Sequence, residues 1–163
     1  MLFVSLNVIM QEAIVFVKNT STFEGTNFEK FLSPIRDTNS HGLFWKGVFM
    51  TIRKIMEILD AKVIFGEHLL DNEVHGACGS DLMSDVLAYS EGNSVLITGL
   101  NNPQVVRTAE MLDITCIVFV RNKTPNEQVV ELASSKNIAI LATKHLMFGS
   151  CGLLYKNGLR GGV

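Results

Sequence analysis

ITCIVFV, residues 114–120, is the most β-prone segment of the chain. β-Branched and aromatic side chains in an unbroken apolar run are typical of a strand that is buried on both faces of a parallel sheet. A similar run, SVLIT at residues 94–98, lies upstream, and IAIL at residues 138–141 lies downstream. We therefore predict that residues 114–120 form the central strand of a sheet.

The segments around these runs carry helix signals, which are capping residues followed by apolar residues at helical spacing. The predicted helices begin after Asn102 (with Pro103 in the first turn), after Thr124 (a capping box with Pro125 and Glu127) and after Thr143, and they end near Leu112, Asn137 and Tyr155. Strands and helices that alternate with short connections are the pattern of a parallel sheet with crossover helices.

The part of the chain before residue 94 completes the predicted domain. Its predicted elements are a helix over residues 52–59 capped by Thr51, the two strands of a small β-hairpin at residues 61–66 and 73–78, and a helix from residue 81 to about residue 90 capped by Ser80. The predicted fold class is α/β, with a small β-hairpin plus a mostly parallel or mixed sheet of about four strands and crossover helices.

The first 49 residues differ in composition from the rest of the chain. They contain seven of its ten Phe residues and its single Trp. Lys46-Gly47-Val48 can be encoded by a ribosome-binding sequence just upstream of the Met50 codon. We expect residues 1–49 to be an N-terminal extension outside the native domain, with a mis-assigned start, and residues 50–163 to be the domain. The alternative is a genuine extension whose aromatic side chains pack on the domain.

The overall composition permits a buried core and excludes several classes of protein. Of the 163 residues, 47% are hydrophobic and 18% are charged, which excludes an intrinsically disordered chain. The net charge of -2 provides no excess of cations for nucleic acid or a membrane surface. The apolar start of the chain is too short and too interrupted for a signal peptide or a membrane span. Cys78, Cys116 and Cys151 lack the spacing of a disulfide framework or a zinc site, so we expect a reducing cytoplasm.

A resemblance to a known family rests on five segments, residues 55–59, 76–86, 97–99, 124–127 and 148–155. The most specific part is SDLMSDV at residues 80–86. Over residues 50–159 the chain resembles the DRTGG domain, a small regulatory α/β module, and is similar to the N-terminal domain of HPr kinase/phosphorylase. Such modules accompany CBS-containing pyrophosphatases and some phosphate acetyltransferases, and they also occur alone as short bacterial proteins. The resemblance implies a ligand-responsive or dimerising module without catalysis of its own.

Two departures limit what the resemblance implies. The Thr-Gly-Gly turn of the family is replaced here by VRNK at residues 120–123, so we do not expect glycines to cradle an anion with backbone N–H groups at this loop. No GxxxxGK[ST] motif occurs in the chain, so the P-loop that phosphate transfer from ATP needs is absent.

The predicted ligand site follows from where the parallel strands end. Ligands bind beyond the carboxyl ends of such strands, and the helix N-termini there attract anions. The candidate binding residues are Thr98, Gly99, Asn101 and Asn102 after one strand, and Arg121, Lys123 and Thr124 after the next. Arg121 would provide a bidentate contact to a phosphate or a carboxylate. The alternative is a pair of capped helix starts with solvated charges.

Other chemistry-bearing residues have weaker cases. His75, Asp81 and Asp85 are weak candidates for a divalent cation, and the favoured alternative is that both aspartates are first-turn acids stabilised by the helix dipole. No metal and no cofactor are therefore predicted. The small residues around Cys151 form a candidate face for self-association, with core packing as the alternative.

The predicted function is that of a non-catalytic, cytoplasmic regulatory module. We expect a homodimer that senses a small phosphate- or nucleotide-like anion or docks on a partner enzyme, and we expect no nucleic-acid or membrane partner. One alternative is a purely structural interaction subunit. A less favoured one is a metal-assisted enzyme that uses His75, Asp81 and Asp85.

Overall fold

The run at residues 114–120 contains the central strand of the sheet in the computed structural model, which describes residues 49–161. The strands are β1 (Met50–Thr51), β2 (Lys62–Phe65), β3 (Glu73–Val74), β4 (Gly76–Gly79), β5 (Ser94–Thr98), β6 (Cys116–Phe119) and β7 (Ala139–Ala142). The α-helices are α1 (Ile52–Ile58), α2 (Met83–Tyr89), α3 (Pro103–Met111), α4 (Glu127–Ser135) and α5 (Met147–Lys156). A 3-10 helix, Glu67–Leu69, follows β2.

Five of the strands form one mixed sheet in the order β2-β7-β6-β5-β4. The strands from β4 to β7 are parallel, and β2 pairs antiparallel with β7 at one edge. The register places Ile117 of β6 between Leu96 of β5 and Ile140 of β7. A separate antiparallel pair joins β1 to β3. The predicted α/β class and the central position of β6 are confirmed.

Alternate residues of β6 face two separate cores, which explains why the strand is apolar at every position. Cys116 and Val118 pack in the core that α1 and α5 cover, whereas Ile117 and Phe119 pack in the core beneath α2, α3 and α4. All four side chains are completely buried. A strand between two layers of helices has no solvent-facing side on which polar residues would be favoured.

Three predicted helix boundaries are confirmed. Thr51 caps α1, and its hydroxyl accepts a hydrogen bond from the Lys54 N–H at 3.2 Å. Asn102 caps α3, and its side chain accepts a hydrogen bond from the Gln104 N–H at 3.0 Å. Asn137 follows α4 with a φ of 56°, the left-handed backbone that ends many helices.

The predicted β-hairpin is wrong in its pairing. Its first half, β2, pairs with β7, and its second half divides at His75 into β3 and β4. β3 pairs with β1, and β4 joins the main sheet parallel to β5. A strand can pair with any neighbour that presents free backbone N–H and C=O groups, and β7 and β5 present such edges. The main sheet consequently has five strands instead of about four.

Two predicted N-caps at the later helices are also wrong. Asn126 caps α4 in place of Thr124, because the Asn126 side chain accepts a hydrogen bond from the Val129 N–H at 2.9 Å. The Thr143 hydroxyl donates instead to the Leu59 carbonyl at 2.6 Å, and α5 begins four residues later than Thr143. At α4 a neighbouring side chain, Asn126, provides the cap, and near α5 the Thr143 hydroxyl is used in a tertiary hydrogen bond instead of a cap.

The predicted N-terminal extension, residues 1–49, lies outside the described residues except for Phe49, and the boundary at residue 50 stays a prediction. The ring of Phe49 lies 4.4 Å from the ring of His75, centroid to centroid. No helix within residues 49–161 combines the length and the hydropathy that a membrane crossing demands.

Candidate functional site

The loops that follow β4, β5 and β6 meet at the carboxyl edge of the parallel strands. Asp81 lies in the first of these loops, Gly99 in the second and Arg121 in the third. The third loop is fixed by a hydrogen bond from the Arg121 N–H to the His145 carbonyl, 2.8 Å long, in the loop after β7. The sheet thereby brings together side chains that are as many as 40 positions apart in the chain.

Asp81 is at the centre of this cluster. Its Oδ1 atom accepts hydrogen bonds from the Gly99 N–H at 2.6 Å and from the Thr98 hydroxyl at 3.0 Å. Its Oδ2 atom accepts a hydrogen bond from the Arg121 guanidinium at 2.5 Å. We call these three donors, the Gly99 N–H, the Thr98 hydroxyl and the Arg121 guanidinium, the anion cradle. In this structure the anion cradle holds the carboxylate of the chain itself.

The pKa of the Asp81 carboxyl is below its ordinary value although part of the group is buried. Burial is the largest single influence and acts to raise this pKa, but the hydrogen bonds from Gly99, Arg121 and Thr98 together outweigh it. The side chains of Asp81 and Arg121 are still 44% and 41% exposed. Because water screens so open an ion pair, its net contribution to stability is only about 0–1 kcal/mol.

The sequence-based prediction placed Asp81 on the wrong element. Ser80 does not cap α2, since its hydroxyl accepts a hydrogen bond from the Leu82 N–H at 3.0 Å and the helix begins after Leu82. Asp81 therefore precedes the helix and shares no helix face with Asp85. Asp81 could have been found from its position just beyond the carboxyl end of β4. Its loop is equivalent to the loops after β5 and β6, which were predicted to bind a ligand.

Arg121 and Asn122 form the turn in which the resemblance led us to look for glycines. Both residues have a left-handed backbone, with φ of 66° and 55°. The Asn122 N–H donates to the Thr143 carbonyl at 2.9 Å, which fixes the turn against the loop after β7. The missing glycines therefore do not prevent a left-handed turn after the central strand.

Gly99 is a position where a side chain is incompatible with the anion cradle. A Cβ atom there would lie 1.6 Å from Nη2 and 2.3 Å from Cζ of Arg121. Glycine thus allows the guanidinium to lie directly over the loop backbone. Lys123 reaches the same loop, and its ammonium donates to the Gly99 carbonyl.

Asn101 connects the loops after β5 and β6. Its Nδ2 donates to the Thr124 carbonyl at 2.9 Å, and its Oδ1 accepts a hydrogen bond from the Asn126 N–H at 3.4 Å. The side chain of Asn102 is occupied by its capping role. The predicted ligand residues all lie at this edge, where Thr98 and Gly99 are buried and the exposed members are Arg121, Lys123 and Thr124.

The weak metal candidates are not assembled into a site. No group of three or more His, Cys, Asp or Glu side chains in the part of the chain that the structure describes is arranged to hold a metal ion. His75 instead has its Nε2 atom 3.2 Å from Nδ2 of Asn93 and its ring against Phe49. Asp81 is committed to the anion cradle.

The three cysteines are free thiols. Cys116 is buried in β6, and burial raises the pKa of its thiol. Burial, followed by the nearby Cys78 thiol, raises the pKa of Cys151 as well. Raised pKa values disfavour the thiolate, which is the nucleophilic form. A Cβ atom at Gly79 would lie 2.6 Å from Sγ of Cys151, so the absence of a side chain there lets α5 pack closely on β4.

Comparison with known protein families matches residues 54–154, most of the chain, to the DRTGG domain. The chain belongs to the DRTGG domain family. No curated protein sequence matches this DRTGG chain. The similarity to HPr kinase/phosphorylase stays a prediction.

A solved structure is similar in fold to this DRTGG chain. It contains the CBS and DRTGG domains of the regulatory region of Clostridium perfringens pyrophosphatase, complexed with the activator diadenosine tetraphosphate. The TM-score is 0.53 at 15% sequence identity, which shows a shared fold. The match covers 78% of this chain and 55% of the other, so this chain spans about half the length of that regulatory region.

Proposed function

We propose that this DRTGG domain is a non-catalytic regulatory module that binds a small phosphate-bearing anion, such as a nucleotide, at the carboxyl edge of its parallel strands. The observation that carries the proposal is the anion cradle, in which a backbone N–H, a hydroxyl and a guanidinium already hold a carboxylate. Donors that are placed to hold one oxyanion have the chemistry to hold phosphate oxygens.

Arg121 and Lys123 supply positive charge for such a ligand. Arg121 contacts Asp81 through Nη2, and a guanidinium has further N–H donors that a ligand can use. Lys123 is exposed on the same loop. Two cations beside one carboxylate leave this cluster with a net positive charge, which favours an anionic ligand.

The structural neighbour supports a nucleotide as the ligand class. That regulatory region is complexed with diadenosine tetraphosphate, which is described as its activator. The shared fold and the shared DRTGG domain lead us to extend the same ligand chemistry, a nucleotide with a phosphate chain, to the site described above.

The proposal includes a protein partner, either a second copy of the chain or an enzyme on which the module docks. A module without a reaction of its own acts by binding differently to a partner when its ligand is present. Phe148 and Tyr155 of α5 are 91% and 61% exposed and provide apolar surface for such a contact. The free thiols are consistent with the reducing cytoplasm that we propose as the compartment.

The same apolar surface favours the second candidate, a structural subunit that binds a partner and no ligand. Light scattering after gel filtration measures the oligomeric state of the wild-type protein with and without ATP. Dimerisation that ATP changes supports the regulatory module, whereas a stable dimer that ignores every ligand supports the structural subunit.

Isothermal titration calorimetry with ATP, diadenosine tetraphosphate and inorganic pyrophosphate tests ligand binding directly. We expect the wild-type protein to bind at least one of them and Arg121→Ala to weaken that binding by about tenfold or more, because hydrogen bonds to charged groups contribute about 1.5–3 kcal/mol. Arg107→Ala is the matched control, since Arg107 is an exposed arginine within α3. No binding of any probe, or equal weakening in the two variants, would contradict the proposal.

A further inference from the structure

The donors best placed to bind a ligand anion are already occupied by a side chain of the same molecule. We infer that the Asp81 carboxylate is an internal stand-in for the ligand, and that a bound phosphate takes its place in the anion cradle and releases the loop that leads into α2. This inference rests on the proposed function and adds how the binding site is regulated.

The loops that supply the donors of the anion cradle are held by contacts of their own. Thr98 is completely buried at the end of β5, and Gly99 follows it directly. The backbone of Arg121 is fixed by its hydrogen bond to His145. The Thr98 side chain and the backbones of Gly99 and Arg121 are therefore held by contacts other than those with Asp81, which is the property of a largely preformed site.

Asp81, which occupies the anion cradle, lies in an exposed loop. Asp81 comes from a different loop, between β4 at the edge of the main sheet and the seven-residue helix α2. Its side chain is 44% exposed, and its neighbour Leu82 is 57% exposed. The Ser80 N–H is held by the Ile97 carbonyl of β5 at 3.1 Å, whereas the side-chain contact of Ser80 with the Leu82 N–H is local, so the part of the loop that can move begins at Asp81.

The charges favour exchange for a phosphate over exchange for a carboxylate. Asp81 places one negative charge beside Arg121, and the Lys123 ammonium donates to the carbonyl of Gly99, whose N–H holds Asp81. A phosphate monoester or a pyrophosphate carries more negative charge than a carboxylate and more acceptor oxygens. The ligand class that we infer is therefore a terminal phosphate or pyrophosphate group, which matches the two cations that Asp81 only half neutralises.

Calorimetry with inorganic pyrophosphate tests the exchange. We expect Asp81→Ala to bind it about tenfold more tightly than the wild-type protein or better, which corresponds to a cradle that Asp81 fills for about 90% of the time or more. Asp85→Ala is the matched control, because it removes the same charge from an exposed position in α2. Adding Arg121→Ala to Asp81→Ala should abolish the gain.

The possible outcomes separate this inference from the proposed function. If the wild-type protein binds pyrophosphate and Asp81→Ala binds no more tightly than Asp85→Ala, Asp81 is a structural brace and only the inference fails. If none of the proteins binds pyrophosphate, the inference fails, and if the wild-type protein also binds neither ATP nor diadenosine tetraphosphate, the proposed function fails with it.

Hydrogen–deuterium exchange on the wild-type protein is a second test, which does not depend on whether Asp81→Ala folds. We expect saturating pyrophosphate to speed exchange in the segment from β4 to the start of α2, residues 79–83, while the β5 and β6 peptides keep their protection. Unchanged or slower exchange over residues 79–83 in the presence of bound pyrophosphate would overturn the inference.

Discussion

Replacing Gly99 by alanine tests the anion cradle without disturbing the core. The new Cβ atom would lie 1.6 Å from Nη2 and 2.5 Å from Nε of Arg121, whereas non-bonded carbon atoms normally stay about 3.5–4 Å apart. The guanidinium therefore has to move by about 2 Å, which ends its contact with Asp81. The φ of Gly99 is not positive, so alanine adds no backbone strain.

The stability and the affinity should respond differently to Gly99→Ala. We expect the free energy of unfolding to fall by about 1 kcal/mol or less, because the atoms that move belong to a flexible, exposed side chain whose ion pair contributes about that much. We expect pyrophosphate binding to weaken by about tenfold or more, because the displaced guanidinium no longer faces the ligand. Urea unfolding followed by circular dichroism and calorimetry measure the two quantities.

Two comparisons make the result decisive. In an Arg121→Ala background, Gly99→Ala should have almost no further effect on affinity, because the two residues act through one contact. Gly152→Ala is the matched control within α5, where no atom other than its chain neighbours and its own helix backbone lies within 4 Å of the added Cβ, and it should stabilise the protein by about 0.5–1 kcal/mol. A loss above about 3 kcal/mol in Gly99→Ala, or an unchanged affinity, would refute the reasoning.

Three further changes test the charge, the helix cap and the core. Because folding lowers the pKa of Asp81, its contribution to stability is present above the unfolded-state pKa of about 3.9 and is lost as the pH falls through the folded-state pKa. The unfolding midpoints of the wild-type protein and of Asp81→Asn should therefore differ by a constant amount above about pH 4 and converge as the pH falls below that value, and a difference that does not shrink there would contradict this. Asn126→Ala should lower the free energy of unfolding by about 1 kcal/mol and Thr124→Ala by much less, since Asn126 provides the cap; equal losses in urea unfolding would reverse the assignment. Phe119→Ala should cost about 3–5 kcal/mol in the same assay because the ring is completely buried, and a cost below about 1.5 kcal/mol would show that its surroundings collapse around the gap.

The parts of the fold that could be predicted from the sequence are those in which one element carries its own signal. The apolar run around β6 is continuous because helices cover both faces of the sheet, and that property is visible in the sequence alone. The strands that pair with β2 and β4 could not be predicted from the sequence pattern. Each of these strands is four residues long and pairs with a strand that the local pattern does not specify.

The candidate site could be located from the sequence but not assembled from it. The rule that parallel sheets bind ligands beyond their carboxyl ends identified the loops of Gly99 and Arg121. It did not identify Asp81, because a short segment beside a Ser was taken as the start of a helix. The contact of Asp81 with Arg121 spans 40 positions, and it depends on β4 lying parallel to β5, which was the pairing that the sequence analysis missed.

The turn after β6 has a backbone that glycine would adopt more easily than the residues present. A left-handed conformation costs a non-glycine residue about 1 kcal/mol or more, and Asn tolerates it better than Arg. Hydrogen bonds from Arg121 to His145 and from Asn122 to Thr143 offset that cost here. Arginine at this turn supplies what glycine would lack, a guanidinium that lies over Gly99 and contacts Asp81. We propose that in this member of the family this side chain recognises the ligand.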